Sequence, residues 1–386
     1  MTRLRWTTAG ESHGPCLVGI LEGMPSGFPL DLERVDSELA RRQAGYGRGG
    51  RMAIETDRIE VLGGMRGGET LGSPLAFRIA NRDARLESMP DLDAPRPGHG
   101  DLTGCQKHGH RSPRAILERA SARETAARVA AAGLARQVLE HFGGEVFGHV
   151  VSLGGVELEA CEAWELGRAE RAARRGASEF QSLDTAREGE LKAVVDRAAQ
   201  AGDTLGGRFE VRALGLPPGL GGYEDPAQRL TARLGGAVLS IPAIKGIEFG
   251  TGWASADLPG SEVHDEIVLR GEGDSRASGG RFGRRTNRSG GLEGGMTTGE
   301  PLVLLAAMKP ISTLRAGLAS VDFASGEAVK APYERSDTTA VPAASVVGEA
   351  LVALVLTSAL LEKLGGNSLG ELERSFAALL AGLAEV

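Results

Sequence analysis

"GGMRGGETLGSPLAF", residues 63–77, and "GGLEGGMTTGEPLVL", residues 290–304, align without a gap and agree at eight of fifteen positions. Each is a glycine-rich turn running into an apolar, strand-like segment, and the offset between them is 227 residues. A second pair lies upstream in the same order, "GESHGPCLVGILEGMPSG" (10–27) and "GDTLGGRFEVRALGLPPG" (202–219). It shares Gly10/Gly202, Gly14/Gly206, Gly23/Gly215, Pro25/Pro217 and Gly27/Gly219. Glycine richness inflates any one match. Two matches in one order imply an internal duplication, approximately 10–145 against 202–315, inside one domain spanning 1–386. The duplication does not extend to side-chain chemistry, because His13 of the first copy faces Leu205 in the second.

Outward from these repeats, the strand candidates are 16–23, 58–64, 74–80, 145–153, 208–214 and 301–308, several of them alternating apolar and polar residues. That alternation predicts strands in sheets with one covered face. Asp31 caps a predicted helix that lines up Leu32, Val35 and Leu39 and stops at Gly45. Ser121 with Glu124 forms a capping box before a helix ending at Gly143, and Ser368 with Glu371 opens the last helix. The apolar run Ala350–Leu361, flanked by Glu349 and Glu362, is shorter than a membrane span and reads as a buried core helix. Strands and helices without strict alternation favour the α+β class.

The 386 residues carry a formal net charge of −7, yet arginine islands stand at 41–51 ("RRQAGYGRGGR") and 281–288 ("RFGRRTNR"). An acidic chain with local basic clusters suits a small, highly charged anion better than a nucleic acid. Aromatics, at 4%, are also scarce for stacking bases. The three cysteines, Cys16, Cys105 and Cys161, are too scattered for a disulfide framework, and the first ten residues show no signal-like apolar run. A reduced, cytoplasmic protein is the expectation, with no membrane partner.

Two histidines sit on glycine-flanked loops: His13 in "AGESHGP" (9–15) and His99 in "RPGHGD" (96–101). A loop-borne imidazole suits a proton donor beside an anion. The helix start at Ser121, with Arg119 before it and Arg123 in its first turn, presents N–H groups and positive charge to a phosphate. Lys309 and two hydroxyls follow the strand at 301–308, in "KPISTL", and Arg335 and Asp337 stand two apart before the apolar helix. Three readings stay open on these residues. One is an enzyme acting on a small anion. Another is an RNA binder using "RTNRSGGLEGGMTTGEP". The third is a metal site at Cys105, His108 and His110, whose spacing fits no common zinc pattern.

Taken in order, "GESHG", "RRQAGYGRGGRM", "RPGHGD", "SARETAARVAA", "IKGIEFG", "GGLEGGMTTGEP", "KPISTL" and "RSDTTAVPAASVVGEA" resemble the chorismate synthase family from residue 10 to about 350. The resemblance implies a β-α-β sandwich with two pseudo-symmetric halves and helices between antiparallel sheets, usually as a homotetramer. It implies elimination of phosphate from 5-enolpyruvylshikimate 3-phosphate to give chorismate, with reduced FMN required and no net redox change. It leaves open whether the chain reduces its own flavin with NADPH. By the family's motifs, Arg42, Arg48, Arg51, Arg123 and Arg335 would bind the substrate. His13 would protonate or hydrogen-bond the departing phosphate, His99 would stabilise the reduced flavin, and Asp337 would take a proton from the flavin's central-ring nitrogen. Flavin contacts would come from Arg119, Ala120, Ser121, Ala243, Gly294, Lys309, Pro310, Ile311, Ser312, Thr313 and Arg335. Departures from the pattern are Ala120 for serine, Pro242 for asparagine, Thr338 for proline and His108 for an aromatic residue.

Overall fold

Each copy of the glycine-rich signature folds as a two-residue hairpin. Gly67 and Gly68 in the first copy have φ of +60° and +86°, and Gly294 and Gly295 in the second have +60° and +91°. Two successive positive φ angles match the right-handed twist of the flanking strands, and glycine adopts them without a Cβ penalty. The structure is a computed structural model that describes residues 4–49, 55–158, 166–270, 280–334 and 336–385.

The chain opens with β1 (Arg5–Ala9), β2 (Cys16–Glu22), β3 (Ser26–Pro29), α1 (Leu32–Gln43) and β4 (Glu60–Gly63). The first hairpin, β5 (Met65–Arg66) and β6 (Glu69–Leu71), leads into β7 (Leu75–Ala80). Next come α2 (Asp101–His108), α3 (Arg114–Ala120), α4 (Thr125–His141), β8 (Glu145–Leu153) and β9 (Val156–Glu157). Helices α5 (Arg168–Ala177) and α6 (Glu188–Ala201) precede β10 (Gly207–Leu214), α7 (Leu230–Leu239), β11 (Ile244–Phe249) and α8 (Gly260–Val263). Strands β12 (Ile267–Leu269) and β13 (Phe282–Arg284) pair with each other. The second signature, β14 (Leu292–Glu293) and β15 (Met296–Thr297), then runs into β16 (Leu302–Met308). Strands β17 (Ala319–Val321) and β18 (Ala328–Lys330) lead to α9 (Val341–Leu364) and α10 (Leu369–Glu385). The six predicted strands are all present, as β2, β4, β7, β8, β10 and β16.

Two antiparallel sheets run in the orders β1-β2-β7-β4 and β11-β16-β10-β8-β9. Helix α4 packs on β1, β2 and β7, whereas α9 packs on β8 and β10, and the two helices pack on each other. Helix α4 is rich in small buried residues, among them Ala127, Ala130, Ala131 and Ala135. Leu17, Leu21, Leu75, Phe77 and Ile79 point inward from one sheet, and Phe209, Val211, Leu302 and Leu304 from the other. The mixed architecture is α+β.

The predicted caps hold with one change. Asp31 accepts from the backbone N–H groups of Glu33 and Arg34, and Glu371 accepts from those of Asn367 and Ser368. Ser121 caps a 3-10 turn over Ala122–Glu124 instead of opening α4 directly, so its hydroxyl accepts from Arg123 N. This extra turn swings Arg123 inward. Helix α9 begins at Val341, well before the apolar run at Ala350, with Pro342 in its first turn. Among the described residues it alone is long and apolar enough to cross a membrane by composition, and nearly all of it is buried in the core.

Candidate active site

Six loops converge on one cavity of about 450 Å³. They are the turn after β1, the C-terminal end of α1, the segment before α2, the 3-10 turn before α4, the edges of β11 and β16, and the segment leading into α9. Polar lining comes from His13, Arg42, Arg48, Arg96, His99, Ser121, Arg123, Lys245, Lys309, Ser312, Thr313 and Asp337. An apolar wall is built by Leu117, Ile241, Met308, Ile311, Ala343 and Val347.

The turn at His13 is fixed from two sides. Asn81 Nδ2 donates to the carbonyl of Gly14 at 2.8 Å. Glu118 accepts the His13 backbone N–H at 2.8 Å and lies 3.0 Å from His13 Nδ1. Burial alone would raise the Glu118 pKa, but hydrogen bonds from the side chain and backbone of His13 outweigh it and hold the carboxyl below its ordinary value. His99 is held similarly: its Nδ1 lies 2.5 Å from Asp101 Oδ1. Asp101 also accepts from Arg96 Nε at 2.8 Å, and Arg96 NH1 donates to Thr313 Oγ1 at 2.7 Å. For Asp101 too, burial pushes upward and is overcome by His99 and Arg96, leaving the carboxyl far below its usual range.

Cations crowd the same cavity. Asp57 Oδ2 accepts from Arg42 NH2 at 3.0 Å, while both its oxygens accept from Arg123 NH1, at 2.6 and 2.7 Å. Asn81 Oδ1 takes the Nε and NH2 groups of Arg123. Arg42 is pulled down to about 10: burial is the largest cause, opposed by Asp57 and reinforced by the positive charges of Arg123 and Arg48. Its Nε, fully buried, has no hydrogen-bond partner among the described residues. Arg48 NH1 pairs with Asp337 Oδ2 at 2.6 Å, and Asp337 Oδ1 accepts from the backbone of Gly49. Lys309, whose Nζ donates to Gly98 O, is lowered by burial and then by neighbouring Lys245. Like charges packed this closely favour an anion between them.

Most of the residues singled out in the sequence share this cavity: His13, His99, Asp337, Arg42, Arg48, Arg123, Ala120, Ser121, Ala243, Lys309, Ile311, Ser312 and Thr313. Three do not line it. Arg119 turns away and donates to the carbonyls of Gly10 and Thr8, so the α4 entrance is flanked by one inward arginine instead of two. Gly294 sits in the turn between β14 and β15, and Pro310 lies between the lining residues Lys309 and Ile311. Arg51 and Arg335 lie outside the described residues. Cys105 is buried in α2, while His108 and His110 are exposed with ring centroids 6.2 Å apart. No three His, Cys, Asp or Glu side chains among the described residues group to hold a metal ion. Sequence reading missed Asp57, Asn81, Glu118, Arg96 and Lys245. Arg96 stands inside the quoted "RPGHGD" and could have been found there. Asp57 and Glu118 act across folds of the chain that no local pattern announces.

The family model for chorismate synthase matches residues 4–361. A relative named chorismate synthase from Rubrobacter xylanophilus is 50% identical over 386 aligned residues, covering 97% of this chain and 96% of that protein. One of the same name from Trichlorobacter lovleyi is 50% identical over 393, covering 98% and 99%. A solved structure titled "Crystal Structure of Chorismate Synthase" superposes with a TM-score of 0.81 at 39% identity, across 100% of both chains.

Proposed function

This chain belongs to the chorismate synthase family, and from that membership we propose roles for the residues of its cavity. The activity is that of a carbon–oxygen lyase: phosphate leaves 5-enolpyruvylshikimate 3-phosphate, chorismate is formed, and there is no net redox change. The observation that carries the assignment is the convergence of Arg42, Arg48 and Arg123 on one cavity, where Arg42 is lowered by burial and by the positive charges of Arg123 and Arg48, a lowering that an anionic substrate would relieve.

Arg42, Arg48 and Arg123 bind the phosphate and carboxylates of the substrate, to which a planar guanidinium is matched. Arg51 and Arg335 join them on the family's pattern. His13 gives a proton to the departing phosphate oxygen. Reduced FMN is the cofactor, and when bound it supplies an electron-rich ring beside the substrate. The residues present fit such a group: an apolar wall suits a flat ring, and the Lys245–Lys309 pair suits its phosphate. Ala120, Ser121, Ala243, Lys309, Ile311, Ser312 and Thr313 cradle it, with Arg119, Gly294, Pro310 and Arg335 following the family's motifs. His99 would donate a hydrogen bond to the bound flavin, and Asp337, held by Arg48, would accept a proton from it.

The body is read as a duplicated β-α-β sandwich. The matching strand orders β1-β2-β7-β4 and β8-β10-β16-β11 support this, as do α4 after β7 and α9 after β16. A cytoplasmic homotetramer is proposed on the family's pattern. The exposed apolar side chains Trp253, Ile267 and Leu269 are consistent with subunit contacts.

The deciding assay is anaerobic, with reduced FMN and the phosphorylated substrate, and follows phosphate release. No release under these conditions overturns the assignment. His13→Ala and His99→Ala are expected to slow turnover by roughly 10²- to 10⁴-fold without unfolding the protein. Full rate in both variants would show that the imidazole roles are wrong.

A further inference from the structure

We infer that Glu118 is the positioning residue of His13, an inference that rests on the reading of His13 as proton donor to the departing phosphate. Glu118 belongs to α3 and does not line the cavity. Its side chain is wholly buried behind the wall. It holds the His13 turn at three points. Its two carboxylate oxygens each lie 3.0 Å from His13 Nδ1, Oε2 accepts the His13 backbone N–H at 2.8 Å, and its own carbonyl accepts from Ser12 N at 2.9 Å.

The chemistry of these contacts fixes more than position. An ionised carboxylate can only accept hydrogen bonds, so the proton on this side of the ring sits on Nδ1. Donation to a ligand is then from Nε2 of the doubly protonated ring, with the Nδ1 proton kept hydrogen-bonded to Glu118. Asp83 lies 3.7 Å from Nε2 on that opposite side. Glu118 is itself braced by Arg114, whose NH1 lies 3.7 Å away and whose NH2 donates to Glu334 at 3.0 Å. Glu334 is on the cavity wall. A carboxylate so fixed sets both the tilt of the imidazole and its tautomer.

The test compares Glu118→Ala, Glu118→Gln, His13→Ala and the double variant Glu118→Ala/His13→Ala. Turnover is measured anaerobically with reduced FMN and 5-enolpyruvylshikimate 3-phosphate. Nitrogen-15 spectra of histidine-labelled protein report the tautomer, with His13 identified by its loss in His13→Ala. Glu118→Ala is expected to lower kcat by about 10- to 100-fold, as misplacement of a reacting group does, with little change in KM. Glu118→Gln, whose amide oxygen still accepts the Nδ1 proton, retains more of the rate. The His13 Nδ1–H signal persists in the wild type and in Glu118→Gln and is lost in Glu118→Ala. The double variant is close to His13→Ala in rate, because the turn that Glu118 holds then carries no imidazole to place.

Wild-type kcat in Glu118→Ala overturns the inference. So does a double variant slower than His13→Ala by the full factor seen for Glu118→Ala alone. The wild-type spectrum decides even where Glu118→Ala does not fold: a His13 protonated on Nε2 alone overturns the assignment. Full activity of His13→Ala would defeat the donor reading. An inactive His13→Ala beside a fully active Glu118→Ala would defeat the positioning role alone.

Discussion

Asp57 shows how one carboxylate arranges an anion site without touching the cavity. It neutralises part of two guanidiniums and holds both against Asn81 and Thr125, leaving the remaining positive charge directed inward. Replacing it by asparagine keeps the shape and removes the charge. Asp57→Asn is expected to cost about 3–5 kcal/mol, the usual penalty for orphaning one side of a buried ion pair, as read by urea unfolding. A loss under 1 kcal/mol would mean that Arg42 and Arg123 are adequately compensated elsewhere. At this scale the sequence was generous about residue types and silent about partners. His13, His99 and Asp337 stood in recognisable turns, whereas Asp57 and Glu118 reach their arginine and histidine through tertiary packing alone. The direction of Arg119 was hidden for another reason: it donates to the carbonyls of Gly10 and Thr8, distant in sequence, and a capping box does not report that contact.

At the scale of elements, Gly348 illustrates why α9 can sit on β10. A Cβ placed there would stand 2.4 Å from the ring of Phe209, which is fully buried and cannot retreat. Helix propensity alone predicts that Gly348→Ala stabilises α9 by about 1 kcal/mol. Overpacking of about 1–3 kcal/mol is expected to win, so the melting temperature falls. A rise in melting temperature would show that the helix and sheet can separate at little expense. Strand positions were legible because they carry local apolar patterns, and so were the tight turns, since paired glycines tolerate the positive φ that such turns need. The layering was not. Which helix covers which sheet depends on small residues such as those of α4, and an alanine-rich stretch looks the same whichever partner it meets. The start of α9 was also hidden, because its first turns mix small and polar residues and lack apolar periodicity.

Over the whole molecule, buried charges tie the layers together and set the acid limit of stability. Glu349, in the middle of α9, accepts from Arg41 of α1, Arg136 of α4, Arg175 of α5 and the backbone of Gly148 in β8. Burial alone would raise its pKa, but the three arginines hold it well below the carboxylate range. Glu210, bonded to His149 and Arg212, is likewise lowered to about 2 despite burial. A carboxyl depressed by folding contributes fully above its ordinary value of 4.5 and loses that contribution as pH falls toward its folded value. The melting temperature is therefore expected to drop steeply below about pH 4.5. Glu210→Gln should start lower and show a shallower acid slope. A slope identical to wild type would remove Glu210 from the acid response.

The cavity has a bearing on biosynthesis of the enzyme itself. Its lining begins at Ser12 and is completed only by Val347, in the second turn of α9. A ribosome must therefore emit nine-tenths of the polypeptide before any ligand can dwell there. Until that moment the cavity lacks the wall that Ala343, Ala344 and Val347 supply.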